Sequence, residues 1–351
     1  MSVALVTGGL GFIGSFVARR LLAERLVDRV VVLDGFRCAT DPTRPEYFDY
    51  RGLRLRGLED RVILERGEPQ YGSVAYDVLE RYRPRYVFHL ASIALSDVEN
   101  LTLQEAQEGS VVSTSHLLEA IGRLAKVGYR PERVVYASSS MVYGDFVYEP
   151  ADEVHPTRPA TIYGTAKLAG EVVARGLADR YAVPLAIVRP SAVYGPTDMN
   201  RRVSQVFVER ALRGERLTVR GAGEALDFTY VEDTAHGFVL AATEPAACGE
   251  TFNVTCGRGR RLIEFVEILK QHCPQLEYEV VERDGSRPRR GGLAIDKARK
   301  LLGYEPVYDL ERGLAAYVAF VRAHRPELEP AERARTRAHA RAATPAPCNA
   351  R

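Results

Sequence analysis

The 351-residue sequence has no tryptophan, only three methionines and only five cysteines. The cysteines are odd in number, widely spaced and never arranged as C-x-x-C, so we expect reduced thiols, an intracellular protein and no metal site. No apolar run approaches the ~18 residues of a membrane span. The N-terminal stretch lacks the cationic segment of a signal peptide. The sequence therefore predicts a cytoplasmic protein with no membrane partner.

An excess of charge of one sign is also missing, because 48 Lys and Arg residues oppose 46 Asp and Glu residues. The net charge of +2 gives no overall field that would attract nucleic acid. An anionic small molecule would have to be bound by a local group of cations.

Short apolar runs rich in β-branched residues alternate with stretches of helical spacing as far as residue 190. This alternation predicts an α/β fold of the Rossmann type, a doubly wound parallel sheet. The predicted strands are 3–7, 29–34, 61–65, 85–91, 133–139 and 184–190, and the predicted helices are 12–26, 74–82, 113–127 and 163–181.

After residue 190 the pattern changes to short strands mixed with helices, which predicts a smaller α/β lobe. We expect residues 1–190 to form the dinucleotide-binding domain and 191–325 to bind mainly substrate. Residues 326–351 are rich in Ala, Arg and Pro and are predicted to be a disordered tail. An Arg-rich helix is the less favoured alternative for the tail. The later predicted strands are 217–221, 226–231, 250–255 and 277–281, and the later helices are 201–213, 261–271 and 309–324.

A glycine-rich turn follows the first predicted strand, with Gly8, Gly11 and Gly14 in the stretch TGGLGFIG. Glycines at this spacing allow a tight turn and a close approach of the backbone to a pyrophosphate. Asp34 ends the second predicted strand, where a carboxylate accepts hydrogen bonds from ribose hydroxyls and repels a 2′-phosphate. The pattern favours NAD over NADP, although Arg37 lies close enough to leave NADP open.

Tyr163 and Lys167 lie four residues apart at the start of a predicted helix and therefore share one face. A phenol with an unperturbed pKa of about 10 is protonated at neutral pH. An ammonium group one turn away favours the phenolate, so this pair is a candidate general acid/base.

Seven blocks of the sequence, TGGLGFIG, HLAS, ASSSMVYG, YGTAK, RPSAVYGP, DFTYVEDTAHG and FNVT, occur in this order. Over roughly residues 3–322 the chain resembles the extended short-chain dehydrogenase/reductase superfamily, in particular its NAD-dependent nucleotide-sugar epimerases and dehydratases, such as UDP-glucose 4-epimerase. The resemblance implies that Tyr163 is the acid/base, that Lys167 holds the nicotinamide ribose, and that Ser139 hydrogen-bonds the same substrate oxygen as Tyr163. It also implies a homodimer formed through the helices near 100–127 and 160–181.

By the same resemblance, the NAD site comprises Gly8, Gly11, Phe12, Ile13, Gly14, Asp34, Glu68, Pro69, Leu90, Ala91, Ser92, Tyr163, Lys167 and Pro190. For the nucleotide-sugar site we expect Ser139, Ser140, Met141 and Ala192, together with the candidate cations Arg201, Arg202, Arg289 and Arg290. Ser138 and Ser140 are interpreted mainly as strand-end residues that satisfy backbone or cofactor groups.

Met141 narrows the reaction that the resemblance implies. The related 4,6-dehydratases and decarboxylases carry acidic side chains just after the catalytic residue, where this chain has Ser140 and Met141. A thioether cannot act as a general base. We therefore expect epimerisation at carbon 4 through a 4-keto sugar. A 4-reductase or 4-dehydrogenase also remains open, a dehydratase or decarboxylase is less favoured, and a non-catalytic NAD-binding sensor is a remote alternative.

The chain departs from the family pattern at the substrate end. Leu226 precedes Asp227 where many epimerases have an Arg that contacts the diphosphate, and Ser191 with Ala192 replaces a common Phe-Asn pair. Another cation must then bind the diphosphate. The candidates are Arg201, Arg202, Arg287, Arg289 and Arg290. The nucleotide and the sugar remain open at this point.

Overall fold

The computed structural model describes residues 1–36, 47–92 and 101–329. Arg37 and residues 330–351 of the expected tail lie outside these ranges.

A seven-stranded parallel sheet organises the molecule, with strand order β3-β2-β1-β4-β5-β6-β9. The predicted Rossmann-type fold class is confirmed. The strands are β1 Val3–Thr7, β2 Arg29–Asp34, β3 Val62–Arg66, β4 Tyr86–His89, β5 Arg133–Ala137, β6 Leu185–Pro190, β7 Leu217–Arg220, β8 Ala225–Leu226, β9 Thr251–Val254, β10 Arg260–Arg261 and β11 Tyr278–Val281.

Helices cover both faces of the sheet, which explains why the strands are apolar throughout rather than alternating. Ala4 and Val6 pack on one face with α1, α8 and α10, whereas Leu5 packs on the other with α3, α5 and α6. The helices are α1 Phe12–Ala23, α2 Arg51–Arg54, α3 Gly72–Tyr82, α4 Leu103–Gln107, α5 Ser113–Ala125, α6 Ile162–Tyr181, α7 Val203–Arg213, α8 Val231–Thr243, α9 Leu262–His272, α10 Asp296–Leu302 and α11 Leu310–His324. A single π-helical turn, Glu108–Val112, joins α4 to α5.

The second lobe is built on its own core, formed by α7, α9, α11 and β7. Strands β7 and β11 pair in parallel, and β8 and β10 pair antiparallel. After residue 190 the chain therefore contains short strands mixed with helices, as the sequence pattern predicts.

The boundary near residue 190 is not clean, because α8 and β9 return to the main sheet. β9 pairs with β6 in the register Ile187↔Thr251, and Phe252 and Val254 are buried in the sheet core. As the seventh strand of the sheet, β9 buries its apolar side chains against the helices on one face.

Two further differences concern the ends of elements. The predicted strand 226–231 is reduced to Leu226 at the end of β8 and an isolated bridge between Tyr230 and Tyr194, and α8 begins at Val231. The tail is predicted to begin at residue 326, which is too early. Pro326–Leu328 forms a 3-10 turn, and Leu328 is buried in the core of the second lobe. No helix within the described ranges is long and apolar enough to cross a membrane.

Candidate active site

A cleft of about 630 Å³ lies at the carboxyl ends of the parallel strands, between the sheet and the second lobe. Loops that follow β1 to β6 line one side, and residues from the start of the second lobe line the other. This edge is where open parallel α/β sheets bind ligands. We call the part around the glycine-rich turn and Asp34 the cofactor end. The part around Met141, Arg202, Leu226 and Arg290 is the substrate end.

The glycine-rich turn leaves no room for side chains. Gly8 has a φ of +69°, and a Cβ atom there would lie 2.9 Å from the Cα of Ala91. A Cβ on Gly14 would overlap the carbonyl oxygen of Gly8, while the N–H of Gly11 donates to that oxygen at 2.9 Å. The turn therefore presents bare backbone beside the N-terminus of α1, which fits a pyrophosphate.

Asp34 is held by the backbone of two loops. Its Oδ2 accepts the N–H of Leu10 at 3.0 Å and its Oδ1 accepts the N–H of Phe36 at 2.8 Å. Burial raises the pKa of Asp34, while those hydrogen bonds and the charges of Arg54 and Arg51 act in the opposite direction. The fixed carboxylate fits the hydroxyls of an adenosine ribose.

The other expected cofactor residues also line the cleft. Glu68 accepts a hydrogen bond from the Gln70 amide at 2.6 Å and packs against Gly35. The lining includes Phe12, Ile13, Glu68, Pro69, Leu90, Ala91, Ser92 and Pro190.

One part of the lining carries no recognised motif and was not anticipated. Residues 47–51 and Arg54 border the cofactor end. The guanidinium of Arg54 donates to the carbonyl of Leu10 at 2.7 Å and to the carbonyl of Thr197 at 2.6 Å. Arg54 thus connects the glycine-rich turn to the second lobe. The only sequence signal was the local density of aromatic and Arg residues.

Ser139, Tyr163 and Lys167 meet at the middle of the cleft. Ser139 follows β5, and its Oγ accepts the N–H of Met141 at 3.2 Å. Tyr163 and Lys167 lie in the first turns of α6, with the Lys167 Nζ 5.9 Å from the centre of the Tyr163 ring. The Nζ also donates to the carbonyl of Ala137 at 2.8 Å. The structure brings the three expected catalytic residues together.

Burial acts on both titratable groups of this trio. It raises the pKa of the Tyr163 phenol, whereas the charge of Arg202 and a hydrogen bond with Ser139 lower it. Burial also lowers the pKa of Lys167 to about 7, against the opposing effect of Glu171. Burial therefore disfavours the charged forms of both side chains, and Glu171 opposes this effect at Lys167.

The neighbouring residues of the SSSM stretch have separate environments. Ser138 Oγ donates to Glu171 Oε1 at 2.5 Å, which agrees with a supporting position. Ser140 is 1% exposed and begins a 3-10 turn with Met141 and Val142. Ser138, Ser140 and Met141 all line the cleft.

The expected cations divide into two groups. Arg202 and Arg290 line the substrate end together with Arg287, whereas Arg201 and Arg289 are not part of the lining. Burial lowers the pKa of Arg290 to about 10, and the nearby charges of Arg287 and Arg202 act in the same direction. The Nε of Arg290 is buried without a hydrogen-bond partner among the described residues. Three cations in mutual range and a free donor fit a multiply charged anion.

Leu226 and Ala192 line the same end of the cleft. Arg201 contributes its backbone N–H to Gln205 at 2.8 Å, and Arg289 contributes its backbone N–H to Asp145 at 2.6 Å. Leu226 therefore shares the cleft lining with Arg202, Arg287 and Arg290 but not with Arg201 or Arg289.

Comparison with known families identifies the fold and the cofactor. Residues 4–255 match the model of the NAD dependent epimerase/dehydratase family. The chain belongs to this family. It is therefore an NAD-dependent enzyme of the extended short-chain dehydrogenase/reductase type, and the glycine-rich turn and Asp34 are residues that fit its cofactor.

Relatives within the epimerase/dehydratase family differ in the reaction that their names give. UDP-glucuronic acid decarboxylase 6 of Arabidopsis thaliana is 29% identical over 88% of this chain and 86% of its own length. dTDP-glucose 4,6-dehydratase of an Actinoplanes strain is 28% identical over 92% of this chain and 98% of its own length.

Solved structures of the family give the same architecture. UDP-glucose 4-epimerase of Thermotoga maritima, determined with UDP-glucose, is 27% identical with a TM-score of 0.77 over 92% of this chain and 99% of that chain. UDP-glucuronic acid 4-epimerase of Bacillus cereus, determined with UDP-glucuronic acid and NAD, is 24% identical with a TM-score of 0.81 over 92% of this chain and 100% of that chain.

Proposed function

We propose that this enzyme epimerises a nucleotide-diphosphate sugar at carbon 4 through a transient 4-keto sugar. The observation that carries the proposal is the trio Ser139, Tyr163 and Lys167 in one cleft with the apolar Met141 beside it. The trio supplies what an epimerase needs, and Met141 occupies a position where dehydratases need an acid.

Each residue of the trio has a distinct task. The Tyr163 phenolate accepts the proton of the sugar's 4-hydroxyl and later returns it. Ser139 shares a hydrogen bond with that oxygen, and the Lys167 ammonium holds the nicotinamide ribose and stabilises the phenolate. Bound NAD supplies the hydride acceptor and donor.

Two further carboxylates in the cleft are already engaged in hydrogen bonds, which makes them poor candidates for the base that a dehydratase needs. Glu105 and Glu108 also line the cleft, but Glu105 accepts the N–H and the hydroxyl of Thr102 at 3.1 and 2.7 Å, and Glu108 accepts the Gln104 amide at 2.8 Å. These bonds engage the Glu105 carboxylate on α4 and the Glu108 carboxylate at the π-helical turn that follows α4. A 4-reductase or 4-dehydrogenase would need no acid either, so the assay must distinguish it.

The substrate's diphosphate is expected between Arg202, Arg287 and Arg290. The buried Nε of Arg290, which has no hydrogen-bond partner in the described part of the chain, supports this placement, because a buried donor without an acceptor is costly. Leu226 leaves that side of the cleft without the usual Arg, and the three cations compensate for its loss.

We also infer a homodimer. Leu103 on α4 is 59% exposed and Val172 on α6 is 65% exposed. Both belong to the helices that the resemblance assigns to a dimer interface, and large exposed apolar side chains favour such contacts. Light scattering on the purified protein measures the mass and would contradict the dimer if it gave that of a single chain.

The test of the reaction is incubation with UDP-linked and dTDP-linked hexoses and uronic acids, followed by proton NMR. Inversion at carbon 4 without added NADH is expected. NADH that accumulates in step with product would instead indicate a dehydrogenase. Loss of water or carbon dioxide would indicate a dehydratase or decarboxylase.

A further inference from the structure

A buried ion pair, Glu171 with Arg189, lies next to Lys167 on the side of α6 that faces the sheet. Glu171 follows Lys167 by one turn of α6 and is 2% exposed. Its carboxylate accepts the Nε and Nη2 of Arg189 at 2.8 and 2.7 Å, and Ser138 donates to the same carboxylate. All the oxygens of Glu171 are therefore engaged away from solvent.

Arg189 is itself anchored on the far side of the group. Its Nη1 donates to the Tyr143 hydroxyl at 3.0 Å, and that hydroxyl donates to Asn253 at 2.7 Å. The orientation of the Glu171 carboxylate is thus fixed from β5, β6 and β9, not only from its own helix.

Lys167 has few favourable neighbours of its own. Its Nζ bonds the carbonyl of Ala137 and lies over the rings of Tyr136 and Tyr163. His89 on β4 faces it as a neutral ring, since burial and the Lys167 charge lower the pKa of His89 to about 3. Glu171 is the acidic group that favours the charged form of Lys167, against its burial.

We propose that Glu171 is a positioning residue that keeps the Lys167 side chain charged beside Tyr163, with Ser138 and Arg189 holding the carboxylate in place. If Glu171 served only to pair with Arg189, it would not need the hydrogen bond from Ser138. Ser138 directly precedes Ser139 at the end of β5, so this bond ties Glu171 to the segment that carries the proposed catalytic serine. The catalytic consequence rests on the proposed function, but the charge of Lys167 can be measured without turnover.

The experiment is a direct titration of Lys167 in the full-length protein. The chain has only five lysines, so selective ¹³Cε-lysine labelling gives a simple NMR spectrum, and Lys167→Arg identifies the signal. Glu171→Gln is expected to lower the Lys167 midpoint by about 1 to 3 pH units, the usual effect of losing an adjacent opposite charge. Asp179→Asn, which removes an exposed acid from the same helix, should leave the midpoint unchanged.

An unchanged midpoint in folded Glu171→Gln would overturn the proposal, whichever reaction the enzyme performs. If Glu171→Gln does not fold, Glu171→Gln/Arg189→Met removes both charges of the pair. The midpoint is still expected to fall, because Glu171 lies one turn from Lys167 on α6, whereas Arg189 lies on β6 and pairs with the Glu171 carboxylate. A midpoint equal to that of the wild type in the double variant would equally overturn it.

A second readout links the charge to the reaction. The alkaline limb of the kcat/KM profile should move to lower pH in Glu171→Gln, and it should stay in place in Asp179→Asn. A uniform loss of activity with an unmoved limb would indicate a merely structural role for Glu171.

Discussion

The cofactor end of the cleft is built from short loops that directly follow the parallel strands, whereas the substrate end combines Arg202, Leu226 and Arg290 from separate parts of the second lobe. The first departs little from the family pattern. The second departs from the epimerases that the chain resembles at Ala192 and Leu226, and from the related dehydratases and decarboxylases at Met141. The contrast indicates that the cofactor end carries the family's shared chemistry and that the substrate end determines the sugar and the outcome.

Tyr163→Phe should have the largest effect on kcat, because Tyr163 lies at the middle of the cleft, where the cofactor end and the substrate end meet. Loss of the phenol should lower kcat by about 10²- to 10⁴-fold, the usual contribution of a general acid/base. The NAD content of the purified protein should stay near that of the wild type, and Tyr76→Phe, which alters a half-buried phenol outside the cleft lining, should retain full activity. Retained turnover in Tyr163→Phe would show that the phenol is not the acid/base of the reaction.

Arg290→Met tests the substrate end. Removing the Arg290 guanidinium from the diphosphate should raise KM by roughly 10- to 100-fold, because a hydrogen bond to a charged group contributes about 1.5 to 3 kcal/mol. NAD affinity should not change. The matched control is Arg289→Met, since the structure engages Arg289 through its backbone outside the cleft lining. Equal effects of the two variants would remove Arg290 from the proposed site.

The cofactor end could be predicted because a single turn encodes its geometry. Gly8 needs a positive φ and Gly14 needs empty space, and both demands are visible as glycines within a few residues of β1. Asp34 is equally local, since it ends the next strand in the sheet.

The substrate end could not be predicted to the same degree, because long-range contacts place it. The segment that carries Arg290 is fixed by hydrogen bonds from its backbone to Asp145, Glu149 and Asp227, which are distant in sequence. Spacing alone could not separate Arg290 from Arg289. The segment at Arg54 was missed for a similar reason, as its contacts to Leu10 and Thr197 join three distant loops.

Asp34→Asn tests the cofactor end with a smaller expected effect. The amide keeps the size of the side chain but loses the charge, so NAD should bind roughly tenfold more weakly. The preference for NAD over NADP should narrow, because the 2′-phosphate is no longer repelled. Calorimetric titration with both cofactors measures this, with the exposed Asp77→Asn as control. An unchanged NAD/NADP ratio would contradict the role assigned to Asp34.

Met141→Glu should give the smallest change in rate and tests how the substrate end directs the outcome. A carboxylate after Ser139 supplies the base that the thioether cannot provide, so it should remove a proton next to the transient ketone. In D₂O the variant should incorporate deuterium at carbon 5 of the sugar, while the wild type and Met141→Gln should not. Deuterium uptake by the wild type would mean that another acid of the cleft, such as Glu105 or Glu108, already acts as a base. Met141 would then no longer distinguish an epimerase from a dehydratase.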